Sequence, residues 1–563
     1  MASSGWLRIS CVSAALLGVL LFHGSCFSEK APYSSFAHDA TAAPPVEYYD
    51  YIIVGGGTSG CALAATLSEG AKVLLLERGD LPYGQPTINN IATFAATLAN
   101  NSPSSPSQSF VSTDGVINAR ARVLGGGSCL NAGFYTRAST AYVSRAGWDQ
   151  RLVNESYQWV EGKVVFEPPM LEWQSAVRDG LLEAGVLPYN GFTFDHIYGT
   201  KVGGSTFDRE GHRHTAADFL EYADPRKITV YLNAVVHQIF FTVKGQPKPR
   251  AYGVEFRDAK GTVHKAYLNR GSKNEVILSA GALGSPQLLM LSGVGPKEHL
   301  MAHGIQTIVD QPMVGQGMSD NSMNALYVPS PRPVEISLIQ VVGITRFGSF
   351  VEAASGSQFG SVSPHSIHEY FQTLANQTGE DDAIFSSGEA NSLSLQGGLI
   401  LEKILGPEST GHLLLHTTDP NDNPIVTFNY FQDPRDLQRC VQGMKTIIKV
   451  IESKSFSKFR YPLVTVQALI DMMLALPVNV RPRHVSASFS LEQFCVDTVM
   501  TIWHYHGGCQ VSKVVDRDYR VMGVEGLRVV DGSTFIRSPG TNPQATVMML
   551  GRYMGQKILQ QRK

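Results

Sequence analysis

Residues 49–79 read YDYIIVGGGTSGCALAATLSEGAKVLLLERG, and the order of residue types in this stretch decides the fold. Tyr51 to Val54 is a short β-branched run that predicts a strand. Gly55, Gly57 and Gly60 follow at the spacing G-x-G-x-x-G, and the small residues from Cys61 to Leu67 predict a helix able to pack closely on a sheet. A second apolar run ends at Glu77, 17 residues after Gly60. In this context the first glycine permits a tight turn, the second lets main chain approach a pyrophosphate, and the third lets helix and strand pack together. Glu77 stands where a carboxylate accepts hydrogen bonds from an adenosine ribose. The stretch therefore predicts a dinucleotide-binding βαβ unit, without separating FAD from NAD.

Two further stretches separate them. ARVLGGGSCLNAGFYTRAS (Ala121 to Ser139) carries Gly125, Gly126 and Gly127, which let main chain lie against a flat ring system, and Asn131, which offers an amide to a polar cofactor edge. EVILSAGAL predicts a buried strand running into a small-residue turn, and GALGSPQLLMLSGVG (Gly281 to Gly295) continues as a helix stopped by Ser292-Gly293 and Pro296. Together the two glycine-rich stretches resemble the signature patterns of the glucose-methanol-choline (GMC) flavoprotein oxidoreductases, and the resemblance extends over nearly the whole mature chain.

That resemblance implies an α/β fold in which a discontinuous Rossmann-like FAD-binding domain carries an antiparallel-sheet substrate domain. The expected boundaries are 47–310 for the N-terminal part of the FAD domain, 311–490 for the substrate domain and 491–563 for the C-terminal part. The β-like runs broken by Asp, Asn and Pro in HLLLHTTDPNDNPIVTFNY fit a sheet that roofs the isoalloxazine. The implied cofactor is non-covalent FAD. Its expected contacts are Gly55, Gly57, Thr58, Ser59 and Gly60 in the first turn, and Glu77 and Arg78 at the second strand's end. Val123, Gly127, Asn131, Ala132, Gly133 and Phe134 belong to the next glycine segment, and YLNAVVHQIFF looks like one strand that supplies the adenine contact, with Val236 the candidate. Trp503, Asp531, Gly532, Pro543 and Gln544 complete the set from the C-terminal part.

The C-terminal part also holds TIWHYHGGCQ (Thr501 to Gln510), with His504 and His506 on either side of a tyrosine. No further His, Asp or Cys cluster accompanies them, so a metal site is not expected. In the GMC family an HxxG segment supplies a histidine at the flavin and a second His or Asn lies about 40 residues later; the resemblance gives these roles to His504 and Asn542. Imidazole, with a pKa near 6.5, is a suitable acceptor for a hydroxyl proton, and the Asn542 amide would hold the alcohol oxygen. His506 is expected to bond backbone or pack on the glycines. Asn542-Pro543 reads as the N-cap and first residue of a helix whose positive end faces the cofactor.

Within the family the plant (R)-mandelonitrile lyases share WHYHGG but carry histidine at the position of Asn542. The chain resembles the HOTHEAD-like plant oxidoreductases more closely, which implies oxidation of long-chain ω-hydroxy fatty acids for cuticle polymers. Cyanohydrin cleavage is the alternative, and a non-catalytic flavin-binding developmental role is a second one.

The bulk properties agree with a globular enzyme. Charged residues are 17% of the 563 and the formal net charge is −2, so nothing points to a nucleic-acid partner. A small-molecule alcohol is the expected partner, with the electron acceptor left open. Residues 1–28 combine an arginine, a short apolar run and small residues, the pattern of a secretory leader and not of a membrane span. Secretion to the cell wall is the expectation, with sequons at Asn154 and Asn376 and a poorer one at Asn100 before Ser-Pro. Cysteines are few, which suggests one bridge plus buried thiols. By resemblance to the plant lyases the bridge is Cys440–Cys495.

Overall fold

A computed structural model describes residues 32–100, 102–242, 247–356 and 396–562; the leader and the Asn376 sequon lie outside them. At the centre is a parallel sheet whose six strands lie side by side in the order Ala37–Asp39, Ile228–Leu232, Val73–Leu76, Tyr51–Val54, Glu275–Leu278, Leu527–Val529. The strands Tyr51–Val54, Val73–Leu76 and Glu275–Leu278 are buried at every residue, as parallel strands covered on both faces should be. Gly55 turns out of the first of these with φ +102°, and the helix Gly60–Ser68 begins at once. A Cβ on Gly60 would lie 2.0 Å from the Gly55 carbonyl oxygen.

The other side of that helix is covered from the far end of the chain. The helix Gln544–Arg562 lies across it, and a Cβ on Gly551 would meet the Ser59 carbonyl oxygen at 2.3 Å. Small residues on both helices thus allow close backbone contact. The Val530 carbonyl accepts from Ser59 Oγ at 2.7 Å and from Ser279 Oγ at 2.9 Å. Three segments far apart in sequence are joined at one atom.

YLNAVVHQIFF is not one strand. Asn233 takes a left-handed backbone, φ +54°, and divides it into Ile228–Leu232 of the parallel sheet and Val235–Thr242 of a four-stranded side sheet.

The second large sheet runs in the order Met323–Pro329, Gly397–Ile404, Ser349–Ser355, Val341–Ile344, Gly199–Val202, Tyr189–Phe192. All its pairings are antiparallel except the last. Two of its strands precede residue 311, so this roof sheet draws on chain from both sides of that point. The helix Pro434–Glu452, capped by Asp433, packs on its outer face and is tied to the helix Leu491–Thr498 by the Cys440–Cys495 disulfide, Cα–Cα 6.4 Å. Cys61, Cys129 and Cys509 are buried thiols, as the cysteine usage predicts.

The strand Gly397–Ile404 carries two ionisable side chains inside the protein. Glu402 faces the helix and accepts from Ser349 Oγ at 2.7 Å, while Lys403 faces the other way and pairs with Glu352, both side chains fully buried.

Candidate active site

Between the parallel sheet and the roof lies a cavity of about 1840 Å³ including its mouth. One end is lined by Glu77, Arg78 and Val236, the other by Ile502, Trp503, His504 and Asn542. Glu77 is held by main chain: Oε2 accepts the Gly56 N–H at 2.9 Å and Oε1 the Gly79 N–H at 2.8 Å. Burial raises its pKa, against those N–H groups and Arg78, which favour the charged form. The Arg78 guanidinium, itself pushed down to about 10 by burial, donates to Gln108 Oε1 and the Ala121 carbonyl, each at 2.8 Å.

The glycines divide by what they face. Gly125 N–H donates to the Gly56 carbonyl at 2.7 Å, and a Cβ on Gly126 would lie 2.7 Å from Gly57 Cα. These contacts dock the second glycine segment, with Val123 buried behind it, on the first. Gly57, Gly127 and Gly532 are different. A Cβ on Gly57 would come no nearer than 3.7 Å to any protein atom, one on Gly127 would meet only Thr58 Oγ1 at 4.0 Å, and one on Gly532 would meet nothing within 4 Å. All three line the cavity, where side chains would fill the space a cofactor needs. The cradle fits FAD: its glycine main chain leaves room for phosphates and a flat ring, and Glu77 and Val236 line one end.

Several residues expected at the cofactor are engaged by the protein. Asn131 Nδ2 donates to Gln544 Oε1 at 2.8 Å and its Oδ1 accepts the Gly133 N–H at 2.9 Å; Gln544 Nε2 donates to the Phe134 carbonyl at 2.7 Å. Asn131 thus braces the C-terminal helix while lining the cavity beside Ala132 and Gly133. Asp531 accepts from the Gly281 N–H at 2.9 Å, Ser285 Oγ at 2.5 Å and the Ser533 N–H at 2.8 Å. Ser59 Oγ is likewise engaged, by the Val530 carbonyl.

The Thr501–Gly508 segment answers why two histidines flank a tyrosine. Asp320, fully buried and raised to about 6 by that burial, accepts from Tyr430 OH at 2.5 Å and Thr501 Oγ1 at 2.7 Å. Thr501 Oγ1 in turn accepts the Trp503 N–H at 2.8 Å. Trp503 has φ +60°, a left-handed conformation that bulky residues rarely adopt. His504, Tyr505 and His506 all line the cavity, and Tyr505 OH also donates to the Ala119 carbonyl at 2.8 Å. His506 Nδ1 lies 3.0 Å from the His504 carbonyl, which can only accept, so Nδ1 carries the proton and His506 is bonded to backbone as expected. Its buried Nε2 has no partner among the described residues. The two glycines let the chain cross a neighbour: Gly507 has φ +90°, and a Cβ there would sit 2.0 Å from the Gly317 carbonyl oxygen.

His504 is buried, with Nδ1 3.1 Å from Asn321 Nδ2. Burial holds its pKa well below the ordinary value, reinforced by the positive charge of Lys403 and by His506. The ring is therefore neutral at pH 7. Asn542 is not the N-cap. The helix starts at Gln544, and the Pro543 carbonyl accepts the Val547 N–H at 3.0 Å, so Pro543 occupies the cap position and Asn542 lies one residue outside. Its buried Oδ1 has no partner among the described residues, and it lines the cavity, while its amide favours the charged form of Glu352.

Sequence reasoning missed Asn321, Glu352 and Lys403. The signal for the last was two adjacent charges in the apolar run GGLILEKI; Asn321 left none.

Protein HOTHEAD of Arabidopsis thaliana is 52% identical over 91% of this chain and 88% of its own length. (R)-mandelonitrile lyase 1 of Prunus serotina is 42% identical over 94% of this chain and 90% of its own, and Sinalpyl alcohol oxidase Nec3 of Nesocodon mauritianus is 42% identical over 94% and 92%. Residues 49–323 and 407–551 match the N- and C-terminal regions of the GMC oxidoreductases, and the chain belongs to that family of FAD-dependent oxidoreductases.

Proposed function

We propose that the chain oxidises a primary alcohol, with long-chain ω-hydroxy fatty acids as the substrate class. The observation that carries the reading is a neutral, buried imidazole, His504, facing one cavity with Asn542. Bound FAD supplies the acceptor for the two electrons that leave the alcohol carbon. His504 takes the hydroxyl proton at Nε2, for which a neutral ring is required. An N–H of the Asn542 amide can donate to the alcohol oxygen, which leaves the one hydroxyl proton to His504. Leu98, Leu130, Phe134, Ile339, Ile502 and Trp503 line the same part of the cavity; this apolar wall suits an alkyl chain and excludes water from the proton transfer.

Cyanohydrin cleavage is the second reading, favoured by the 42% identity to a mandelonitrile lyase. It uses the same base. The test is anaerobic mixing of the FAD-loaded protein with 16-hydroxyhexadecanoic acid, followed at 450 nm, beside benzaldehyde release from mandelonitrile. Bleaching by the hydroxy acid supports the oxidase or dehydrogenase reading. Rapid benzaldehyde release with no bleaching by any alcohol replaces it with the lyase. Export to the cell wall is part of the proposal, supported by the Cys440–Cys495 disulfide and by Asn154, exposed on the helix Gln150–Val164.

A further inference from the structure

His504 can act as a base at Nε2 only in one of its two neutral tautomers, the one with its proton on Nδ1. Whatever touches Nδ1 decides this. Among the described residues that group is Asn321, fully buried just ahead of the strand Met323–Pro329. Its Nδ2 lies 3.1 Å from His504 Nδ1 and 3.2 Å from Ser538 Oγ, and its Oδ1 has no partner. The contrast with His506 is plain, since there a carbonyl leaves a single tautomer.

An amide can present either end. With nitrogen toward Nδ1, Asn321 donates and the ring's proton sits on Nε2, so His504 offers the cavity a donor. With oxygen toward Nδ1, a half-turn about Cβ–Cγ, Asn321 accepts from Nδ1–H and from the Ser538 hydroxyl, whose single proton then leaves the Gly540 carbonyl that it bonds at 3.2 Å in the nitrogen-facing state. Nε2 then carries a lone pair.

We propose that Asn321 is the positioning residue that sets the tautomer of His504, and that its oxygen faces Nδ1 in the working enzyme. The inference rests on His504 being the base, a role that both alcohol oxidation and cyanohydrin cleavage need. In the step concerned the substrate O–H bond breaks and the Nε2–H bond forms; the resulting imidazolium keeps its Nδ1–H on the Asn321 oxygen. Other groups facing His504 are Lys403 with its partner Glu352 on the roof, His506, and Asp320, which accepts the His504 main-chain N–H. None of them bonds the ring among the described residues, so none can choose the tautomer.

The test uses the FAD-loaded full chain and three variants, Asn321→Asp, Asn321→Leu and His504→Ala, in anaerobic reduction by 16-hydroxyhexadecanoic acid from pH 5 to 9, with mandelonitrile cleavage as the readout if that is the activity found. Asn321→Asp is isosteric and accepts at both ends, so it locks the oxygen-facing state. Its limiting rate should stay within about threefold of the unmodified protein at high pH, with the acid limb moved up by about 1–3 pH units by the added charge. Asn321→Leu should lose roughly 10–100-fold in limiting rate, the scale known for partners that fix the tautomer of a metal-bound imidazole, with half-saturation changed less than about threefold. If Asn321→Asp is as slow as Asn321→Leu at every pH, the working state is the nitrogen-facing one and the proposal fails. It also fails if Asn321→Leu matches the unmodified protein. Should Asn321→Leu not fold, ¹⁵N-histidine spectra of the unmodified holoprotein, with His504→Ala identifying the signal, decide alone: a proton on Nδ1 supports the proposal and one on Nε2 overturns it. A His504→Ala variant that keeps its rate removes the base itself, a distinct outcome from unchanged Asn321 variants beside an inactive His504→Ala.

Discussion

Gly57 and Gly60 belong to one motif yet should fail differently when given a methyl group. The Cβ of Gly60→Ala would sit 2.0 Å from the Gly55 carbonyl oxygen and 3.1 Å from its carbon. Main chain cannot rotate away, so the strand–helix joint must open. Overpacking of this kind costs about 1–3 kcal/mol or more, and the variant apoprotein should melt several degrees lower. The Cβ of Gly57→Ala meets nothing nearer than 3.7 Å, an ordinary contact, and Gly57 does not take a left-handed backbone. The apoprotein should be as stable as the unmodified one, or gain about 0.4–1 kcal/mol from a stiffer unfolded chain. The methyl group instead projects into the cavity where the pyrophosphate is expected, and FAD affinity should fall at least about tenfold, or ~1.4 kcal/mol. Thermal melts of the apoproteins and titration of each with FAD by flavin fluorescence separate the two effects. Retention of full FAD affinity by Gly57→Ala would falsify the assignment of that cavity end to the phosphates.

Three other outcomes are expected. His504→Ala should slow flavin reduction by about 10²–10⁴, the scale of a general base, and Asn542→Ala by less, since it removes one hydrogen bond and no helix cap; equal losses in stopped-flow would contradict these roles. Cys440→Ser should destabilise by around 4 kcal/mol, from the 55-residue separation that the bridge closes, and non-reducing peptide maps that find either thiol free would remove the basis for it. His506 is pushed down to about 4 by burial, so between pH 6.5 and 4 the unfolded chain binds a proton that the folded one does not. Stability should be full above pH 6.5 and fall by up to ~1.4 kcal/mol per pH unit below it. Asp320, raised to about 6, works in the opposite direction from 3.8 to 6, so the urea midpoint difference between His506→Gln and the unmodified protein at pH 7 and 5 isolates the histidine; no change in that difference would refute it.

What could be read from sequence was what local spacing encodes. Gly55, Gly57, Gly60 and Glu77 lie within one βαβ unit, and each has a role fixed by its distance from the turn. The Asn542–Pro543 pair was displaced by one position because proline can serve as the cap as well as the first helical residue, and only the Val547 hydrogen bond distinguishes the two. Asn233 broke a run that reads as one strand, since asparagine tolerates a left-handed backbone that hydrophobicity does not signal. Asn131 was legible as a residue of the site, but its partner Gln544 is 413 positions away. Asn321 was invisible for the same reason, lying 183 positions from His504 with no motif around it. Polar residues that act through another side chain leave no periodicity.

The meeting of Ser59, Ser279 and the Val530 carbonyl also has a consequence for how the protein is made. Ser59 waits for a partner 471 residues downstream. At roughly 5–20 residues per second of synthesis, the glycine turn leaves the ribosome on the order of half a minute to a minute and a half before the segment that closes over it. His504 and the helix Gln544–Arg562 arrive together with that segment. The nascent chain therefore cannot hold its cofactor until the segment around Val530 has been made, and a ribosome that stops before it releases a chain with a finished glycine turn and a cradle open on one side.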